Sequence, residues 1–115
     1  MNLKGLIMTN NKTIEQKMII DEMSNKISDI LKYYSYEDNN IETRKFITEK
    51  CNDILKDIPF ADFKVVCDES NNTFDVIDNN MIKLDVIYRF NKGDEFTVRQ
   101  YTVKPVSSTF DEVFN

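Results

Sequence analysis

The sequence predicts an α+β domain: two helices packed on one face of a small, mainly antiparallel sheet, with extended N- and C-terminal arms. Three observations predict it. Apolar residues recur at three- and four-residue spacings through the first half of the chain. After Pro59 the repeat changes to alternation, the signature of a half-buried strand. Polar, Asn-rich breaks separate the segments. With 115 residues, 41% of them hydrophobic, the chain reads as a single domain over 1–115, with arms at about 1–12 and 105–115.

Leu3 to Thr9 reads as a short strand or arm ending in the turn Asn10-Asn11. Thr13 with Gln16 then matches a capping box, in which each side chain satisfies a backbone N–H at a helix start. Ile20, Met23, Ile27, Ile30, Leu31 and Tyr34 follow on one face of a helix running to about Tyr33. Ser35 to Asn40 is a polar break. Asn39 with Glu42 suggests a second capping box, opening a helix to about Asp57 with Ile47, Cys51, Ile54, Leu55 and Ile58 on one side. Pro59 stops it.

Phe63 to Cys67 reads as a strand, and Asp68 to Asn80 as a polar stretch interrupted by Phe74, Val76 and Ile77. In the next strand Ile82, Leu84, Val86, Tyr88 and Phe90 alternate with Lys83, Asp85, Ile87 and Arg89. That pattern buries one face and leaves the other largely in water. Asn91-Lys92-Gly93-Asp94 is a hairpin turn, with Gly93 able to take positive φ. The return strand, Glu95 to Val103, carries Phe96 and Val98 on one side and Tyr101 and Val103 on the other, so its outer face is expected to meet a partner. Beyond Pro105 the tail bears Phe110, Val113 and Phe114 among polar and acidic residues.

Composition excludes several functions. Net charge is −5, and neither half is basic: residues 1–60 carry 9 basic and 10 acidic side chains, residues 61–115 carry 6 and 10. Direct nucleic-acid binding and membrane-surface binding both need a Lys/Arg surplus that is missing. The apolar start is too short for a secretory signal, and no run reaches the length of a membrane span. Cys51 and Cys67 are therefore expected as two buried free thiols.

Catalytic machinery is not recognisable. Without histidine there is no Ser-His triad and no common general base, and Gly5 and Gly93 cannot form a phosphate loop. Neither cysteine has a fixed basic neighbour that would favour a thiolate. The acidic stretch from Asp68 to Asp75 fails as an EF-hand, since positions six and twelve hold Thr73 and Asn79. Its Asn and Asp side chains read instead as Asx-turn formers. The sequons at Asn11 and Asn71 carry no weight without a secretory signal, and the pairs Asp94-Glu95 and Asp111-Glu112 read as solvated. No catalytic, cofactor-binding or metal residue is expected. The chain reads as a binding or assembly protein, not an enzyme.

One segment is more specific. Phe63-Lys64-Val65-Val66-Cys67-Asp68-Glu69-Ser70-Asn71-Asn72-Thr73, followed by Val76-Ile77-Asp78-Asn79-Asn80 and Ile82-Lys83-Leu84-Asp85-Val86, resembles the C-terminal domain of contractile-tail bacteriophage sheath proteins. Weaker likeness extends to Ile14-Glu15-Gln16, to Glu37-Asp38-Asn39-Asn40 leading into Thr43-Arg44, and to Ser108–Val113. The chain departs from the pattern at Arg89-Phe90, where the family has Lys-Pro, and at Arg99-Gln100, where it has aliphatic residues. Sheath proteins are also several times longer, so the chain reads as a stand-alone relative of their assembly domain.

The resemblance implies a virion structural protein of a tail, neck or baseplate, made in the host bacterial cytoplasm. It implies a ring, six-fold by analogy, in which arms complete a neighbour's sheet. Partners would be copies of itself and neighbouring tail or neck proteins, including a sheath or tube protein. Candidate arm residues are Leu3, Leu6, Ile7, Val106, Phe110, Val113 and Phe114. The alternative reading is a small intracellular adaptor that binds one host or phage protein.

Overall fold

The structure is a computed structural model that describes residues 3–104, with side chains from residue 14 onward. The elements run α1 (Leu3–Tyr34), α2 (Ile41–Leu55), β1 (Asp62–Val66), α3 (Phe74–Asp78), β2 (Ile82–Arg89) and β3 (Thr97–Val103). The three strands form one antiparallel sheet in the order β1-β2-β3. The predicted α+β class therefore holds.

Alternation along β2 sets the layers. Ile82, Leu84, Val86 and Tyr88 are buried, while Lys83, Asp85, Ile87 and Arg89 are only partly covered. The buried set meets Ile20, Met23, Ile27 and Leu31 of α1 and Ile47, Cys51 and Leu55 of α2 in one cluster. Both long helices thus pack on the same face of the sheet. Phe60 closes one end of this core, with its ring 4.8 Å from Tyr88 and 5.0 Å from Phe90. Cys51 and Cys67 are buried and free. Burial pushes their thiols up, to about 12 and about 11 respectively, so both are neutral at physiological pH.

The structure corrects the sequence reading in four places. Leu3 to Thr9 is helical backbone continuous with α1, not a strand or extended arm. Extending an existing helix needs no new nucleus, and Leu, Lys and Met are good helix formers, so Asn10-Asn11 is carried through instead of breaking the chain. The cap of α2 is Asn40, whose side chain accepts from the Thr43 N–H at 2.9 Å. Asn39, one residue earlier, turns into the interior. Residues 74–78 form the short α3 instead of loop. The turn at 91–94 forms without using the positive φ open to Gly93. The turn is held by Asp94, whose N–H donates to the Asn91 carbonyl at 3.0 Å and whose carboxylate accepts from the Asn91 backbone and side-chain amides, both at 3.1 Å. Consequently β3 begins at Thr97, two residues later than the alternation suggests.

A buried polar network ties the connections together. Asn72 is 1% exposed, and its amide side chain accepts from Lys83 N–H at 2.8 Å and donates to Lys83 C=O at 2.9 Å. It therefore pairs with β2 as a strand residue would. Asn39 donates to Asn72 at 3.0 Å and to the Met81 carbonyl at 2.6 Å, and accepts from the Arg44 guanidinium. Asn80 accepts from Asn39 N–H and sits at φ 53°, the left-handed region that asparagine tolerates. Every buried side-chain polar atom among the described residues has a partner.

Candidate assembly surface

The helices cover one face of the sheet and leave three features open: the outer face, the free edge of β3 and a groove beside it. Register fixes which residues share the outer face. Ile87 lies opposite Val98 and Lys64, and Asp85 opposite Gln100. Val98 is 59% exposed and Phe96, just before the strand, 52%. The Arg89 guanidinium lies 4.4 Å from the centre of the Phe96 ring and is paired with Asp62 at 2.7 Å. Lys92 reaches the same carboxylate at 3.2 Å. These two cations hold the Asp62 carboxyl below its usual range. Phe96 is thus braced by a cation–π contact and stands exposed beside the charged trio of Arg89, Asp62 and Lys92.

The edge strand is anchored at one end only. By register, Tyr101 and Val103 point with Leu84 and Ile82 toward the helices and pack against the core. Tyr101 also shares a 2.8 Å hydrogen bond with Ser24 of α1. Thr97 and Arg99, on the same face, are exposed. Arg99 stands beside Tyr88, where its charge opposes the upward push of burial on that phenol. Beyond β3 no further strand is present among the described residues, so its outward backbone N–H and C=O groups have no ladder partner.

Between the C-terminal half of α1 and β3 runs an open groove of about 700 Å³. Leu31, Tyr36, Tyr101 and Val103 contribute its apolar lining, with Lys32 and Gln100 at its polar margin. The groove reaches Lys104, where the chain leaves the sheet for the C-terminal segment.

Of the predicted arm residues, Leu3, Leu6 and Ile7 lie on the helical backbone of α1, and their side chains lie outside the described ones. Val106, Phe110, Val113 and Phe114 lie outside the described residues altogether. The expected Asx-turn character of the Asp68 loop is present. Ser70 donates to the Asp68 carboxylate from its N–H at 2.9 Å and from its hydroxyl, and these bonds hold the carboxyl below its usual range. Among the described residues no group of three or more His, Cys, Asp or Glu side chains is placed to hold a metal ion, and no helix is long and apolar enough to cross a membrane.

The sequence reading missed the buried network of Asn39, Arg44 and Asn72. Asparagine pairs signal turns, and nothing in a single sequence distinguishes a turn amide from one aimed inward. It also missed the groove, which depends on how α1 and β3 lie beside one another.

No protein-family model matches the chain, and no solved structure matches it. Among curated proteins it is similar to the tail sheath protein of Vibrio phage KVP40, with 26% identity over 124 aligned positions. The alignment covers 96% of this chain but only 18% of that protein's length. Nearly all of this sequence, helices and sheet together, is thus similar to one part of a phage tail sheath protein, of whose length it spans less than a fifth.

Proposed function

We propose that the chain is a structural protein of a bacteriophage virion, located in the tail, neck or baseplate. It assembles into a ring, six-fold by analogy with sheath layers, by exchanging terminal segments with neighbouring copies. The observation that carries this reading is the unpartnered edge of β3, set beside an apolar groove in a chain similar to a sheath protein over almost its whole length. An extended segment added to that edge gains main-chain hydrogen bonds from the ladder and side-chain contacts from the groove. The segment best suited is the C-terminal one of a neighbour, whose Val106, Phe110, Val113 and Phe114 supply apolar groups. Ring formation needs such a heterologous contact to close. Adjoining layers, including a sheath or tube protein, would be the further partners.

Deleting residues 106–115 tests this reading. The shortened protein is expected to keep its circular dichroism spectrum and melting behaviour but to be absent from particles. Incorporation at normal copy number would overturn the assembly role of that segment.

A further inference from the structure

Arg44 is a buried cation without a counter-ion. It is 6% exposed, yet no carboxylate among the described residues lies within ion-pairing distance of its guanidinium. Arginine is almost never buried to that degree unpaired, because taking a charge out of water costs more than one neutral hydrogen bond returns. The Asn39 side chain holds Nη1 alone. No buried side-chain polar atom among the described residues lacks a partner, so Nε and Nη2, which make no bond there, reach a surface. That surface is a groove of about 570 Å³. Ile41, Arg44 and Thr48 of α2 line one side of it, and the turn from Cys67 to Ser70 lines the other. The Arg44 charge is felt across the groove, where it opposes the upward push of burial on the Cys67 thiol. Asp68 does not serve as its counter-ion, since that carboxylate is turned to the N–H and hydroxyl of Ser70.

We infer that this groove receives a single carboxylate, an Asp or Glu side chain carried by a segment of a partner protein, which pairs with Nε and Nη2 of Arg44. Three features select that ligand. The open edge of a guanidinium presents two parallel N–H donors, which match the two oxygens of a carboxylate. The rim disfavours a more highly charged ligand. Lys45 is opposed there by Glu49, Asp68 and Glu69, all exposed, so a dianion is repelled where one negative charge is balanced by Arg44. Ile41, 62% exposed at the groove, offers an apolar contact to the residue that carries the carboxylate, and a free small anion cannot use it. The groove shares no lining residue with the one beside β3, so the inference does not depend on the proposed exchange of C-terminal segments.

Arg44 also anchors Asn39, so the test leaves it in place. NMR on the whole isotope-labelled chain reads the Arg44 Nε–H and the backbone amides of residues 67–70. Sodium acetate is expected to shift them saturably, and sodium sulfate at the same ionic strength is not. The peptide acetyl-Leu-Asp-Leu-amide should bind on the order of tenfold more tightly than acetyl-Leu-Asn-Leu-amide, and more tightly than acetate. Thr48→Glu sets a carboxylate one helical turn from Arg44 inside the groove. It should raise the melting temperature by a few degrees and abolish the acetate response. No saturable shift with acetate would overturn the inference. So would an equal response to sulfate, which marks a general anion site, or equal binding of the two peptides. Acetate binding as tight as that of the Asp peptide would restrict the groove to small anions and overturn the partner segment. An undiminished acetate response in Thr48→Glu would place the anion elsewhere and overturn the assignment to Arg44.

Discussion

β2 and β3 share one hydrogen-bonded ladder over seven residue pairs, yet they live in different environments. Every second residue of β2 is buried under the helices, whereas β3 is exposed along most of its length and gains cover only at Tyr101 and Val103. The same backbone geometry thus serves two ends. β2 holds the domain together, and β3 displays a sheet edge that the helices leave uncovered. A strand whose ladder is complete on one side and empty on the other is unstable against pairing, and proteins that do not use such an edge normally block it. Here Lys and Pro do not interrupt it: Thr97 to Val103 contains neither.

Substitutions sharpen this contrast. The largest effect is expected at Leu84, fully buried at the centre of β2. Leu84→Ala should cost about 2–5 kcal/mol in urea unfolding, while Val98→Ala in β3 should stay within about 0.5 kcal/mol. Equal costs at the two sites would mean that β3 is covered within its own subunit. Asn72→Ala comes next. It strands the backbone groups of Lys83 and the Asn39 amide, and should destabilise by about 2–3 kcal/mol. Tyr101→Phe removes a side-chain hydrogen bond between β3 and α1, that to Ser24, and should cost about 0.5–1.5 kcal/mol. Amide exchange in that variant should quicken in β3 before β2.

The cysteines make no difference at neutral pH; their effect is expected only on the alkaline side. Folding raises the Cys51 thiol from about 9 to about 12, because burial disfavours the thiolate. The resulting stabilisation is complete below pH 9 and is lost as pH climbs toward 12. The melting temperature should therefore fall on the alkaline side. Thiol reagents at pH 7 should label neither cysteine until denaturant is added. Rapid labelling of the native protein would show that the α2–sheet interior opens easily.

Much of this division is readable in the chain itself. Alternation from Ile82 to Tyr88 identifies β2 and its buried face, because a period of two under a helical layer admits few other readings. The stripes in α1 and α2 likewise identify two helices on one face. The environment of β3 was only half readable. Aromatic and aliphatic residues on both sides of it indicate a second contact surface, but which of its residues the helices cover depends on tertiary placement. Leu3 to Thr9 misled for a different reason. A short apolar run before two asparagines fits a strand and turn as well as the first turns of a long helix, and cooperativity of the helix decides between them. For the candidate surface, sequence pointed to the edge and the termini, whereas the groove of Leu31, Tyr36, Tyr101 and Val103 joins residues too distant in the chain to be paired by pattern.

We propose that this chain is part of a phage particle and that the open edge of β3 serves its assembly there. Quantitative mass spectrometry of purified virions tests it most directly, alongside the lysate from which they came. The chain is expected in intact particles at a fixed ratio to the tail proteins, in multiple copies per particle. Abundant chain in the lysate with none in the particles would contradict it and favour an intracellular adaptor.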